Sequence, residues 1–292
     1  MEKCGLDALG VTHGGALVEE RAYLEKRKAL YGLCPFEGQD LEERLDPGKI
    51  YPGTRTVLVF AINTRTEDPD LKPGQGLLSS ISRTLDYHRV LKEAGGKLKE
   101  ALALEEEAPI LVDSHPLMER AFAQRADLGY VGKNCQLIHK VYGTYLALGL
   151  LLTREEFPPD DPNLEEGCGA CQACLRACPG KALKGKGEMD PFSCLSYLSQ
   201  AKERTEEEEK KLAYRLYGCD LCQKVCPKNQ QVPLSRGKIL VKGGLYREDI
   251  ASLSNRNFKR TFGQLAGAWR GKKQWMRNFD YIEDYWKTNR EP

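Results

Sequence analysis

The sequence predicts an α+β fold in three parts: an N-terminal domain on a mixed sheet, a cysteine-dense middle and a short basic helical tail. Three observations predict it. Strand-like and helix-like patterns mix through the first half, which suits an α/β or α+β layer arrangement. Eight of the 11 cysteines fall between Cys168 and Cys226. All three tryptophans, Trp269, Trp275 and Trp286, lie in a C-terminal stretch rich in Lys and Arg. The expected boundaries are 1–154, 155–233 and 234–292. A chain of 292 residues has room for one large or two modest domains.

In the first part, "TVLVFAI" (Thr56–Ile62), "PILVD" (Pro109–Asp113) and "YLALGLLL" (Tyr145–Leu152) read as buried strands. Ile81, Leu85, Leu91, Ala94, Leu98 and Leu102 follow a helical spacing of three to four, interrupted by Gly95-Gly96. "HPLMERAFAQRA" predicts a helix with Pro116 in its first turn. "GYVGKN" (Gly129–Asn134) is a glycine-punctuated loop, whose backbone N–H groups suit an anionic or amide-bearing group. No Walker loop or dinucleotide fingerprint is present. A proline-rich acidic linker, "EEFPPDDPNLEEG", opens the second part. There "TEEEEKKLAYRLYG" (Thr205–Gly218) predicts a helix with a solvated glutamate face.

The cysteines carry the chemistry. "CGACQACLRACPGKAL" holds Cys168, Cys171, Cys174 and Cys178 in a C-x2-C-x2-C-x3-C-P run, the bacterial ferredoxin spacing. "CDLCQKVCP" adds Cys219, Cys222 and Cys226, and Cys194 stands alone between the runs. Eight thiolates suffice for two [4Fe–4S] clusters, so the middle domain is expected to be ferredoxin-like. In two-cluster ferredoxins the last cysteine of each run ligates the other cluster. Applied here, Cys168, Cys171, Cys174 and Cys226 hold cluster 1, and Cys178, Cys194, Cys219 and Cys222 hold cluster 2. The rival is zinc, which paired C-x2-C groups also bind. The repeated run ending in proline is a poor zinc pattern. Cys4, Cys34 and Cys135 read as small buried hydrophobes.

The longest apolar run, Tyr145–Leu152, is shorter than the ~20 residues a membrane helix needs. The N-terminus "MEKCGLDALG" lacks the apolar core of a secretory signal. A reducing, cytoplasmic location is therefore expected, where clustered cysteines bind metal more often than they pair. Net charge is +2, but the stretch from Arg236 to Pro292 has 13 Lys/Arg against 6 Asp/Glu. A basic, aromatic end suits an anionic polymer. The plainer alternative is a helical pair that docks its aromatics on the body.

"VDSHPLMERA", "GYVGKN", "DYHRVLK", "CGACQACLRACPGKAL" and "GCDLCQKVCP" together resemble epoxyqueuosine reductase, a tRNA-modifying family that uses cobalamin and two [4Fe–4S] clusters and is related to reductive dehalogenases. The likeness runs from about Asp46 to Asn229. "GLDALGVTH" and "FKRTFGQLAGAWRGKKQWMRN" fit more loosely. The resemblance implies that the N-terminal domain binds cobalamin and that the clusters reduce it. The reduced cofactor then acts on the epoxide of epoxyqueuosine at the tRNA wobble position, leaving the cyclopentene of queuosine. It implies Asp113 as the acid at the epoxide oxygen, with a carboxyl kept protonated by a pocket desolvated against the corrin. It implies cofactor contacts at Asp113, Lys133, Asn134, Ser196, Asp220 and Gln223, with Tyr87 and His88 lining the pocket. The implied partners are a tRNA anticodon stem-loop and an external low-potential electron donor, with no membrane. Many members of the family run longer, with a helical-repeat domain that helps hold tRNA. Here the basic tail or the anticodon loop itself takes that part. Two other readings stand beside this one: a corrinoid-dependent reductase of a small molecule, and a cluster-only electron carrier.

Overall fold

A computed structural model describes residues 1–162 and 167–289. Its centre is a four-stranded sheet of β1 (Ala8–His13), β2 (Thr56–Asn63), β3 (Ile110–Leu111) and β4 (Leu146–Thr153), in the order β1-β2-β4-β3. Every pairing in it is antiparallel. The mixed sheet expected from sequence is therefore corrected. Strands β2 and β4 are buried on both faces, which removes the polar alternation that usually marks an antiparallel strand. Among the described residues, the one parallel pair lies elsewhere, between Leu77–Leu78 and Arg215–Tyr217. Strand β1 has no counterpart among the three strands expected.

Alternate residues of the sheet feed two cores. Val57, Val59, Leu148 and Leu150 pack with Leu24, Leu45 and Phe122 on one face. Leu58, Phe60, Ala147 and Leu151 pack with Leu91, Ala94 and Leu98 on the other. The second face is covered by α1 (Tyr87–Ala101). This helix starts six residues later than Ile81, because the Asp86 side chain accepts the His88 N–H and fixes the start there. Gly95 is no breaker. A Cβ there would stand 2.9 Å from the Phe60 ring and 2.8 Å from Ile110, so its absence lets α1 approach the sheet.

Helix α2 (Glu119–Arg125) begins three residues after Pro116, not around it. Just before Pro116 the chain is held in tight turns: Ser114 donates to Val112 and His115 donates to Asp113. Asp113 has φ +55°, a conformation that Asp tolerates better than most residues. The long helix expected over Thr205–Gly218 is also shorter. A capping box of Thr205 and Glu208 starts it, and it spans Glu206–Leu212. Ala213 then takes φ +51° and the chain turns into the strand Arg215–Tyr217.

The tail is part of the body. Trp275, Phe279, Ile282 and Trp286 line one side of α3 (Gly271–Thr288) and bury against Leu78, Leu216 and Tyr217. Asn278 donates to the carbonyls of Ser199 and Leu216 and accepts from Arg204. The expected boundary near 234 therefore does not separate this helix from the middle segment. Among the described residues, no helix is long and apolar enough to cross a membrane.

Candidate active site

A cleft of about 760 Å³ opens where the sheet domain, the cysteine segment and the tail meet. The first supplies Tyr87 and His88 from the start of α1 and Asp113 from the turn after β3. The cysteine segment supplies Ser196, Gln200, Tyr217 and Gly218, and the tail supplies Ala266 and Trp269. A second cavity of about 420 Å³ shares Phe36, Glu37, Gly38, Asp113, His115 and Pro116 with the first. The two cavities adjoin, with Asp113 among the residues that line both.

Asp113 Oδ2 lies 3.1 Å from His88 Nε2, and His88 Nδ1 lies 2.7 Å from Asp86 Oδ1. The His88 ring stacks on Tyr87 at 4.0 Å. Burial opposes charging His88, but the hydrogen bonds to Asp113 and Asp86 outweigh it and push the imidazole up to about 9. The hydrogen bond from His88 in turn holds the Asp113 carboxyl below its usual range. In this structure the Asp113 side chain is 59% exposed and paired with His88. Its backbone N–H donates to Glu119, which also bonds His115. Tyr217 is buried, accepts from Trp269 Nε1 at 2.9 Å and donates to Gln200 at 2.8 Å.

The cysteines fall into two neighbourhoods. Cys174 and Cys226 both sense the charge of Cys168, and Cys226 also senses Cys171. Cys194 and Cys222 each sense Cys178 and Cys219. Burial pushes the Cys194 thiol up to about 11. Among the described residues, no three His, Cys, Asp or Glu side chains converge on a single ion. One zinc needs its sulfurs at ~2.3 Å from a common centre. A cube takes one thiolate per corner iron and spaces them more widely. Cys4, Cys34 and Cys135 are buried, as expected of small hydrophobes.

The residues implied as cofactor contacts divide. Asp113 and Ser196 line the cleft. Lys133 faces the first cysteine loop: its Nζ donates to the Gly169 and Cys171 carbonyls, and its N–H points at Cys168 Sγ, 3.4 Å away. Asn134 is buried beside Cys135, with its Nδ2 unpartnered. Asp220 is buried and accepts from Ser80 N–H and Gln223 Nε2. Gln223 also accepts from Thr144. These last two fasten the cysteine segment to the sheet domain. Phe36, Gln200, Tyr217 and Trp269 were not among the residues singled out for the cleft. Only the position of Tyr217, two residues before Cys219, hinted at it.

The chain matches two family descriptions: "Epoxyqueuosine reductase QueG, DUF1730" over residues 44–114, and "4Fe-4S double cluster binding domain" over residues 167–229. It is 35% identical over 290 residues to the epoxyqueuosine reductase of Bacillus cereus, covering 94% of this chain and 75% of that one. A crystal structure of selenomethionine-labelled epoxyqueuosine reductase superposes with a TM-score of 0.90 at 32% identity, covering 98% of this chain and 80% of the other. An epoxyqueuosine reductase solved with a tRNA-Tyr epoxyqueuosine-modified stem loop gives 0.86 at 32% identity, over 98% and 79%. With this likeness over nearly its whole length, and cysteines in two groups beside an acid-bearing cleft, the chain belongs to the epoxyqueuosine reductase family.

Proposed function

We propose that this chain reduces epoxyqueuosine to queuosine at the wobble position of tRNA, using cobalamin supplied with electrons through two [4Fe–4S] clusters. The observation that carries the reading is the composition of the cleft wall. Asp113 shares that cleft with Ser196 and Gly218, which lie two residues from Cys194 and one from Cys219. Electrons and protons are thereby led to one space from different parts of the chain.

The smaller cavity beside Asp113 suits an amide-bearing group. Arg44 Nε and His115 Nδ1, both from residues in its walls, and Asn134 Nδ2 beside the lining residue Cys135 are buried without a hydrogen-bond partner. An unpaired buried polar group costs ~1–3 kcal/mol. The amide groups around a corrin ring are partners of the right chemistry. Asp113, Ser196 and Asn134 are the residues of the implied set that would hold cobalamin. Lys133, Asp220 and Gln223 support its surroundings through the bonds above. Cobalamin, when bound there, would supply low-potential reducing chemistry for the epoxide.

The reaction consumes two electrons and two protons, breaks both C–O bonds of the epoxide, forms a C=C bond and releases water. The chain's part is to hold a proton near the epoxide oxygen and to exclude bulk water. Asp113 delivers that proton, and His88, bonded to it, holds the proton at neutral pH. Cys168, Cys171, Cys174 and Cys226 hold one cluster; Cys178, Cys194, Cys219 and Cys222 hold the other. An external low-potential donor feeds them, in the cytoplasm where the tRNA is. The test is anaerobic turnover of an epoxyqueuosine stem-loop by the reconstituted chain, with and without cobalamin. Cobalamin-dependent loss of one oxygen from the modified nucleoside is expected. Equal conversion without it, or none with it, would overturn the reading.

A further inference from the structure

Trp275 and Trp286 are buried, at 0% and 8% exposure, but Trp269 is 60% exposed at the rim of the larger cavity. Single exposed apolar side chains are ordinary. This one is part of a built edge. Its Nε1 donates to Tyr217, and the Arg270 guanidinium lies 4.3 Å over its ring. The same guanidinium lies 4.8 Å over Phe36, itself 43% exposed, whose ring meets Trp269 edge-on at 6.0 Å. The turn beneath is pinned: a Cβ on Gly267 would stand 2.9 Å from the Tyr217 ring. A rigid indole thus stands in water with a cation on one face, beside a second ring, at the mouth of the cleft.

We infer that Trp269 and Phe36 are a stacking platform for an unpaired base of the anticodon loop next to the wobble nucleotide. This rests on the tRNA reading above. A wobble base can reach Asp113 only if its neighbours are unstacked, and each then leaves an aromatic face to be covered. Unpaired RNA bases are held by stacking on aromatic rings and Arg planes. The platform is continuous with the cleft that takes the modified base. The surrounding charge suits RNA: Arg256, Lys259, Arg260 and Lys273 are exposed on the same C-terminal stretch. A protein partner would not require the platform to border the cleft.

The test uses the cluster-loaded chain and an anticodon stem-loop with 2-aminopurine at either position flanking the wobble nucleotide. Stacking is expected to quench the probe with wild type. Trp269→Ala should abolish the quench and weaken binding about 5- to 150-fold. The salt dependence should stay unchanged, because no phosphate contact is lost. Trp269→Phe should keep most of both, which separates stacking from a folding defect. Full quenching and affinity with Trp269→Ala would overturn the inference while leaving the tRNA reading intact. If wild type binds and converts no stem-loop, the tRNA reading fails and takes the inference with it.

Discussion

His88 Nε2 stands 3.1 Å from Asp113 Oδ2, and this contact sets the pH behaviour of the site. With His88 pushed up to about 9 and Asp113 held down, the pair at neutral pH is imidazolium and carboxylate. The proton sits on His88, one hydrogen bond from the carboxylate proposed to pass it on. Turnover is expected to be flat near neutrality and to fall as pH rises through about 9. In His88→Gln, Asp113 returns toward its ordinary range, so activity should be low at neutral pH and rise on acidification. Stability has the same signs. His88 contributes fully below its unfolded value of 6.5 and loses its contribution as pH rises through about 9. Asp113, being depressed, contributes above about 4 and loses its share on acidification. A pH–rate profile with no alkaline limb near 9 would remove His88 from the proton path.

Asp113→Asn tests the acid itself. Asn tolerates the positive φ of this position, so the turn should survive where a β-branched residue would strain it. Clusters and bound cobalamin should be retained. Turnover is expected to fall ~10²–10⁴-fold, the usual worth of a general acid. Stem-loop affinity should hardly change, because the lost interaction belongs to the transition state. Near wild-type turnover would shift the role to His115 or water. Loss of cobalamin instead would leave Asp113 a cofactor-binding residue and not the acid.

The parts legible in the sequence are those with local signals. Strands β2 and β4 are continuous apolar runs, and the cysteine spacing names its own chemistry. Strand direction was not legible, because burial on both faces erases alternation. Helix starts are not legible where a single contact decides them, as Asp86 does for α1 and the turns at Ser114 and His115 do for α2. The platform shows the limit most clearly. Phe36 and Trp269 are 233 positions apart, and no period or spacing links them. Trp269 also shares its stretch with two core tryptophans, so composition alone assigns all three one role. Lys133 has motif surroundings that suggest a cofactor loop, yet its amine reaches the backbone of the cysteine run.

That placement makes Lys133 and Cys194 separable by metal analysis. Wild type reconstituted without oxygen should hold about eight iron and eight sulfide per chain. Cys194→Ala should damage only the cluster that also uses Cys178, Cys219 and Cys222. Lys133→Met removes the clamp on the Gly169 and Cys171 carbonyls but keeps the N–H toward Cys168. The first cluster should then form yet lose iron faster to a chelator, with the second unaffected. Electron paramagnetic resonance of the reduced variants distinguishes them. Equal loss of both clusters in Cys194→Ala would overturn the ligand grouping, and stoichiometric zinc without sulfide would overturn the clusters.

Lys272 and Lys273 are neighbours in sequence but not in role. Lys272 Nζ donates to the carbonyls of Ala251 and Leu253, at the end of the short helix Glu248–Ala251. It is a structural cation, with two of its three N–H groups committed to carbonyls. Lys273 is exposed on the same turn of α3. If the tail contacts the stem-loop backbone, Lys273→Gln should weaken binding at low salt and reduce the salt slope by about one. Lys272→Gln should leave that slope alone and instead lower stability by about 1 kcal/mol, the usual net worth of a hydrogen bond. Binding across a salt series, paired with thermal unfolding, reads both. A slope that changes with Lys272→Gln and not with Lys273→Gln would mean that RNA binding displaces Lys272 from its carbonyls, and the tail would then have to rearrange on the substrate.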